Sequence, residues 1–291
     1  MLYSSKRKKI STLLTLSVVS LFMVGCEIGS SDVSTVAPVQ TVVTPDTSIA
    51  DENADAIVAS TMGGISKLTE KIEDLPVIKT DDIPLIGAIA SADIQQTNLG
   101  GIDLTSELEI CDEGGSVELN NIGTDSAELT FTNCKDDGKT VNGKGHLEVS
   151  KNAYTLILND FTVDDAYFKF ATIYYNGSDF DAKISSGYAH LDGQRLNVEN
   201  LSIVKKGNNL TAVSSIKTDC MGSWVSVNTI EPMYVNGTEC PTSGYVVVSG
   251  TSSDLAISFN ADESVDTFID NVPSEHYATC KDLPAYKEVC Q

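Results

Sequence analysis

Apolar residues recur at steps of three and four between residues 53 and 73, at Ala54, Ile57, Val58, Met62, Ile65, Leu68 and Ile72. This spacing predicts an amphipathic helix, and Asp74-Leu75-Pro76 predicts its end, because proline does not continue a helix. Gly63 and Gly64 lower the helix propensity and predict a kink or a split into two pieces. Basic residues are few, so a helix packed on a neighbouring domain is favoured over one that lies on a membrane surface or binds a partner.

From residue 116 onward the pattern changes to short runs rich in β-branched and aromatic residues. Four turn dipeptides of the hairpin type lie among them, at Asn142-Gly143, Asn176-Gly177, Asp192-Gly193 and Asn236-Gly237. No helical period interrupts these runs, so parallel βαβ units are disfavoured. The predicted fold is all-β, an antiparallel sandwich or barrel-like meander with one N-terminal amphipathic helix and three disulfides. The predicted strands cover residues 116–119, 127–132, 146–150, 154–163, 167–175, 179–185, 188–191, 195–204, 210–217, 224–228, 245–249, 255–259 and 265–269.

Two segments, 111–143 and 220–250, resemble each other and form a candidate internal repeat. In each, a cysteine followed by glycine precedes a Val-x-Leu/Val-Asn run, and a second cysteine follows, Cys134 after Cys111 and Cys240 after Cys220. A chance similarity between two short turns is the alternative. The repeat predicts the disulfides Cys111–Cys134 and Cys220–Cys240, which leaves Cys280 to pair with Cys290, one of 15 connectivities that six cysteines allow.

The first 26 residues have the pattern of an export signal. Four basic residues precede an apolar run over residues 10–24 that is too short for a comfortable membrane span, and a small residue, Gly25, comes directly before Cys26. Met23-Val24-Gly25-Cys26 resembles the lipobox of bacterial lipoproteins, which implies that Cys26 is acylated, with palmitate or a related chain, and becomes the new N-terminus. An ordinary signal peptide that happens to contain a cysteine is the alternative.

The predicted organisation has four parts. Residues 1–25 form the lipoprotein signal peptide, and residues 26–51, rich in Ser, Thr, Val and Pro, form a lipidated tether. Residues 52–106 hold the amphipathic helix and an irregular segment, and residues 107–291 form the disulfide-stapled β domain. Acylation of Cys26 removes one of seven cysteines, and export to an oxidising compartment then favours three disulfides among the remaining six.

The exported chain is strongly acidic. The whole chain has a formal net charge of −22, and removal of residues 1–25 leaves 15 Lys and Arg against 41 Asp and Glu, or −26. Such a surface repels nucleic acid and contacts anionic lipid only through the acyl anchor. Arg195 is the one arginine left in that chain, which disfavours a phosphate site built on bidentate arginine contacts.

The sequence contains none of the common catalytic signatures and indicates no cofactor. The best calcium candidate is the acidic pair Asp136-Asp137 before Gly138, although charged turns facing water are the favoured explanation of such pairs. His146, His190 and His276 lack the short spacing of a zinc site. An aromatic row predicts either a core between sheets or a face that stacks on sugars, with Phe168, Phe170 and Tyr174 on one side of a strand and Tyr167 and Tyr175 on the other.

These observations predict a membrane-anchored lipoprotein of the bacterial cell envelope that acts as a binding or structural module for an envelope protein or a polysaccharide. Two alternatives stay open, an enzyme that acts on envelope glycans through paired carboxylates and a carrier of a hydrophobic ligand. The mature part loosely resembles β-rich exported lipoproteins of unassigned role, through Gly114-Gly115 and Pro241-Thr242-Ser243-Gly244. That resemblance implies no activity. Glu27 after the anchor favours the outer over the inner membrane, and the ligand-binding residues stay unassigned.

Overall fold

The computed structural model describes residues 43–73, 75, 102–103, 111–121, 125–150, 153–177, 179–235 and 240–290. All of these residues belong to one compact unit, residues 38–291. Cys26, the predicted signal peptide and most of the predicted tether lie outside the described residues. Within the described part, no helix is both long and apolar enough to cross a membrane.

The β domain is one continuous antiparallel sheet, which confirms the all-β prediction and selects the meander over two stacked sheets. Each strand pairs with the next along the chain, except that β11 pairs with β9 and β10 therefore pairs with β12. The strands are β1 (Ile102–Asp103), β2 (Gly114–Asn120), β3 (Ser126–Asp136), β4 (Lys139–Ser150), β5 (Ala153–Val163), β6 (Ala166–Asn176), β7 (Asp179–Leu191), β8 (Gln194–Lys206), β9 (Asn209–Thr218), β10 (Val225–Glu231), β11 (Met233–Tyr234), β12 (Gly244–Ser249), β13 (Asp254–Phe259), β14 (Val265–Ile269) and β15 (Val272–Tyr277).

Helix α1 (Asp51–Glu73) runs without interruption, so the predicted split into two pieces at Gly63 and Gly64 is wrong. The two glycines instead allow the helix to approach the sheet closely. A Cβ atom at Gly63 would lie 3.1 Å from Cδ2 of Leu191, and one at Gly64 would lie 3.1 Å from Cδ2 of Leu196. The helix is thus held against β7 and β8 on its small-residue face.

One hydrophobic core joins the helix to the sheet. Ile57, Leu68 and Ile72 from α1 are each 1 % exposed and belong to the same cluster as the alternating inward residues of the strands, such as Leu158 and Ile203. A short second helix, α2 (Tyr286–Val289), packs beside Ala59 in a smaller cluster. The amphipathic stripe is therefore explained by packing on the sheet.

A row of irregular positions crosses the sheet from β3 to β8. Asn133, Asp160 and Asn200 have φ angles of 47°, 47° and 51° in the middle of their strands, and Gly143 has a φ of 136°. The alternation of buried and exposed residues shifts by one position across this row. In β5, Leu158 and Phe161 are both buried while the two residues between them are exposed. Bulges of this kind bend strands and increase the local twist.

The irregular row also changes which aromatic residues of β6 lie on the same face. In β6, Phe168 and Tyr175 are buried in the core, whereas Phe170, Tyr167 and Tyr174 lie on the outer side. The prediction that Phe168 shares a face with Phe170 and Tyr174 is wrong, because strict alternation does not hold through the irregular position.

Two of the predicted hairpin turns are confirmed and one is wrong. Asn176-Gly177 joins β6 to β7, and Asp192-Gly193 joins β7 to β8. Asn142-Gly143 lies inside β4, where a Cβ atom at position 143 would lie 2.7 Å from Cδ2 of Phe161. Glycine is needed there for close packing, and the turn between β3 and β4 falls at Asp137-Gly138. Asn236-Gly237 lies outside the described residues.

The six cysteines form three disulfides, as predicted, but only Cys111–Cys134 has the predicted partners. The other two bridges are Cys220–Cys290 and Cys240–Cys280, so the predicted pairs Cys220–Cys240 and Cys280–Cys290 are wrong. The sequence similarity between segments 111–143 and 220–250 does not extend to disulfide pairing. The chain folds back so that residues 280–290 meet strands that precede them by 40 to 70 residues.

The end of the predicted tether is packed against the sheet. The backbone of Asp46 pairs with Trp224, and the carbonyl of Thr47 accepts a hydrogen bond from the N–H of Thr251. Ile49 is 4 % exposed and belongs to the core. Residues 46–50 therefore fix the N-terminus of α1, which begins at Asp51.

Candidate functional site

A cavity of about 790 Å³ lies along one flank of α1. Its other walls are the turn between β7 and β8, the β8–β9 turn with β11, the end of β13, and residues 280–286. This volume falls within the range of about 300–1,000 Å³ that is typical of sites for small molecules.

The inner wall of the cavity is apolar and well packed. Val58, Met233 and Phe259 are between 1 % and 4 % exposed, and Ile65 is 6 % exposed. Met62 is half-buried and extends this surface along the helix. Such a lining favours hydrocarbon and offers few partners to a strongly polar molecule.

One end of the cavity is charged. Glu70 and Glu73, on the last turn of α1, line it together with Lys205, at the end of β8. Lys205 forms an ion pair with Glu73, and Lys67 forms one with Glu70 at 3.2 Å. This charged end, defined by Glu70, Glu73 and Lys205, thus presents both signs of charge next to an apolar interior.

Thr69 lies between the apolar wall and the charged end. Its Oγ1 atom is buried and makes no hydrogen bond within the described part of the chain. A buried hydroxyl without a partner loses its hydrogen bonds to water and gains none in return, which is unfavourable.

Residues 280–290, the C-terminal strap, cover part of the cavity. A short 3-10 turn over Cys280–Asp282 and helix α2 give the strap its shape, and Leu283, Pro284 and Tyr286 line the cavity. The disulfide to Cys240 fixes one end of the strap and the disulfide to Cys220 fixes the other. Both ends of this wall are therefore covalently attached to the sheet.

Hydrogen bonds hold the middle of the strap. The hydroxyl of Tyr286, which is 4 % exposed, donates to Oε1 of Gln194 at 2.9 Å. The Gln194 side chain in turn donates to the carbonyl of Cys290 at 2.7 Å. The first residue of β8 thus positions the strap against the same hairpin that contacts Gly63.

An ion pair fixes the C-terminal half of α1 on the flank away from the cavity. The ammonium of Lys71, whose side chain is 5 % exposed, lies 2.7 Å from Oδ2 of Asp164 and 3.5 Å from Asp165. Burial opposes the charge on each group, but the hydrogen bond and charge of the partner outweigh it. The pKa of Lys71 is raised and the pKa of Asp164 is lowered. The Asp164 carboxylate also accepts a hydrogen bond from the N–H of Thr140.

Comparison with known proteins finds no protein-family model, no curated protein and no solved structure that matches the chain.

The predicted calcium candidate lies at the turn between β3 and β4. Asp136 is half-buried and Asp137 is exposed, and the N–H of Gly138 donates to Glu113 at 2.8 Å. Across the described ranges, no group of three or more His, Cys, Asp or Glu side chains could hold a metal ion. Neither aspartate lines the cavity.

The histidines lie apart, each next to a carboxylate. His190 lies 3.5 Å from Asp165, His146 lies 3.7 Å from Glu148, and His276 lies 2.7 Å from Asp266. The hydrogen bond from His276 lowers the pKa of the Asp266 carboxyl, with help from Asn260. His276 is exposed, whereas His146 and His190 are half-buried, and none of the three lines the cavity.

The cavity is the feature that sequence reasoning missed. Its lining comes from α1, four separate parts of the sheet and the strap. The predicted disulfide pairing was wrong and therefore did not place the strap beside the helix. No local pattern in the sequence indicates this cavity, because its walls come from separate parts of the chain.

Proposed function

We propose that the protein is a lipid-anchored binding module of the bacterial cell envelope, more specifically of the outer membrane. Its ligand is an amphiphile whose apolar chain occupies the cavity beside α1. The observation that supports this function is the cavity itself, about 790 Å³ with an apolar wall and a charged end. Burial of hydrocarbon against Val58, Ile65 and Phe259 would supply the binding free energy at about 25 cal/mol per Å² of apolar surface removed from water.

The glycan-acting enzyme is less well supported. A general acid in such an enzyme needs a carboxyl group whose pKa is raised. Three carboxyl groups in the described ranges have shifted pKa values, and all three values are lowered, at Asp164, Asp262 and Asp266.

An envelope protein or polysaccharide stays the second candidate ligand, favoured by the outward Tyr167 and Tyr188, whose rings lie 5.6 Å apart.

A photocrosslinking experiment in intact cells tests the proposed function on the full, anchored chain. Cells that export the protein are fed a fatty acid with a photoactivatable group, irradiated, and the labelled peptides of the purified protein are mapped by mass spectrometry. We expect label on peptides from α1 and from the C-terminal strap, in addition to label on Cys26 from acylation. Label on the Cys26 peptide alone would contradict the proposal.

A matched pair of variants separates occupancy of the cavity from surface labelling. Met62→Trp adds bulk to the half-buried cavity wall, so crosslinks to α1 should fall several-fold. Val272→Trp adds the same ring at a position that is 64 % exposed on the edge strand, and should leave the crosslinks unchanged. Thermal unfolding of both variants checks that the fold is retained.

A further inference from the structure

A row of paired residues, the outer row, crosses the sheet from β5 to β9. Each member pairs with the next one on the neighbouring strand, and each is half-buried; the members are Thr162, Tyr167, Tyr188, Asn197 and Lys217. Neighbouring strands lie about 4.8 Å apart, so the outer row is about 19 Å long.

The outer row faces away from α1. A Cβ atom at Gly64 would lie 3.1 Å from Cδ2 of Leu196, so Leu196 points toward the helix. Adjacent residues of a strand point to opposite faces of a sheet, and Asn197 therefore points outward together with its partners in the row. None of the five residues lines the cavity. A ligand on the outer row is thus independent of the amphiphile in the cavity.

The side chains of the outer row are uncharged except at the β9 end. They provide one hydroxyl, two phenols and one amide, followed by the ammonium of Lys217. None of them is a carboxylate, although the chain contains 41 Asp and Glu residues. Hydroxyl, phenol and amide groups both donate and accept hydrogen bonds. The row therefore suits an uncharged partner that is itself rich in hydroxyl groups.

The two tyrosines in the middle of the row have an arginine beside them. The ring centroids of Tyr167 and Tyr188 are 5.6 Å apart, with an interplanar angle of 33°. Cζ of the exposed Arg195 lies 4.0 Å from the centroid of the Tyr188 ring, a distance at which the cation and the ring attract each other. Within the described part of the chain, this guanidinium forms no ion pair and no hydrogen bond. Its N–H donors are therefore accessible to a ligand on the row.

A hydrogen-bond acceptor lies on the other side of the tyrosine pair. Oδ1 of the exposed Asp160, on β5, accepts a hydrogen bond from the hydroxyl of Tyr167 at 2.6 Å. A carboxylate accepts several hydrogen bonds, so Asp160 has capacity for a ligand as well. The two rings thus lie between a group that only donates and a group that only accepts.

We propose that the outer row binds a neutral polysaccharide chain that lies across β5 to β9. Sugar hydroxyls both donate and accept, so one chain supplies a donor to Asp160 and acceptors to Arg195. The apolar C–H groups of the sugar rings contact the tyrosines. One sugar ring is about as long as the spacing of two strands, about 4.8 Å, so the row accommodates about four sugar units.

The charges favour a neutral polysaccharide over a charged one. A chain with carboxylate or phosphate groups would pair with Arg195 but would be repelled by Asp160 and by the formal net charge of −22. A cationic chain would pair with Asp160 but would be repelled by Arg195 and Lys217. Only an uncharged chain uses the donor and the acceptor together.

Affinity electrophoresis tests the class of ligand. The full chain, solubilised in a neutral detergent, is run in native gels that contain dextran, mannan, galactan or hydroxyethyl cellulose, and in gels that contain the anionic polymer polygalacturonate. We expect at least one of the four neutral polymers to retard the chain and polygalacturonate to leave its mobility unchanged. Retardation by none of the four, or stronger retardation by polygalacturonate, would overturn the proposal.

Four variants test the location of the site. Arg195→Gln and Asp160→Asn should each weaken retardation about tenfold, because each removes a hydrogen bond to a charged group. Tyr188→Ala should weaken it at least as much, because it removes a ring and the support of Arg195. The matched control Tyr174→Ala removes an exposed tyrosine ring from the outer side of β6, away from the row, and should have no effect. Equal losses in Tyr174→Ala and Tyr188→Ala, or stronger retardation of Asp160→Asn, would contradict the assigned site.

The outcomes keep this proposal separate from the cavity. Retention of lipid in the cavity, measured as fatty-acid crosslinks to α1, should be the same in Tyr188→Ala and in the native chain. Absence of these crosslinks from the native chain would remove the amphiphile function and leave the polysaccharide site intact. An envelope protein that copurifies with the native chain but not with Tyr188→Ala, without retardation by any polysaccharide, would assign the outer row to a protein partner and overturn the proposal.

Discussion

Removal of the Cys240–Cys280 disulfide, by the double change Cys240→Ser and Cys280→Ser, should release one end of the C-terminal strap. With Cys220–Cys290 intact, the shortest remaining connection between positions 240 and 280 runs through that second bridge and covers about 30 residues. The chain-entropy argument gives about 3.5 kcal/mol for closing a ring of this size. We therefore expect the free energy of unfolding to fall by about that amount and the melting temperature by about 10 °C.

The chain contains a matched control for this experiment. Cys111–Cys134 closes a ring of 23 residues and should contribute about the same 3.5 kcal/mol. It joins the start of β2 to β3, and neither cysteine lines the cavity. Urea unfolding of Cys111→Ser/Cys134→Ser should therefore match that of the strap variant, while lipid retention should fall only when the strap is released.

An equal effect of both double variants on lipid retention would contradict a role of the strap, because loss of stability would then explain the effect. Full retention of lipid by the strap variant would contradict that role as well. Non-reducing peptide mapping should first verify that Cys220–Cys290 persists, since the ring size depends on it.

Three further predictions concern stability and anchoring. Asp164→Asn should cost about 3 kcal/mol, because it leaves the buried Lys71 ammonium with only a more distant carboxylate. The pKa of Asp164 is lowered in the folded chain, so its contribution to stability is present above the usual pKa of 3.8 and is lost as pH falls through the folded pKa. The urea midpoints of the variant should therefore depend less on pH below about pH 4. Gly143→Ala should destabilise by about 3 kcal/mol, because its Cβ would lie 2.7 Å from Phe161, whereas Gly138→Ala, with open space around it, should lose only about 1 kcal/mol by thermal unfolding. Cys26→Ser should abolish fatty-acid labelling at that position and shift the protein out of the membrane fraction; unchanged fractionation would refute the anchor.

The sequence predicts the elements of this protein better than the contacts between them. Alternation of apolar and polar residues locates most strands, because one face of each strand is buried, and the spacing of Ile57, Leu68 and Ile72 locates α1. Asn176-Gly177 and Asn142-Gly143 look the same in sequence, yet only the first forms a turn. In Asn142-Gly143 the glycine allows close packing against Phe161, which lies on the next strand, 18 residues later.

The candidate site depends on long-range contacts that leave no local pattern. The bridges Cys240–Cys280 and Cys220–Cys290 hold the strap, whose Tyr286 packs beside Ala59 of α1, and no spacing of cysteines indicates this. Gly63 and Gly64 allow α1 to approach Leu191 and Leu196 closely, and both Gly63 and Leu191 line the cavity. Such a cavity depends on the sizes of individual side chains, which the hydrophobic pattern of a sequence does not indicate.

The disulfide pattern also sets the order in which the chain can mature. Cys220 and Cys240 emerge from a ribosome or a translocation pore before their true partners, and they lie close enough in sequence to oxidise with each other. That premature bond would trap β10 to β12 away from the strap until thiol exchange released it. Correct oxidation thus requires either a delay until residues 280–290 have arrived or an isomerase that reopens the early bond.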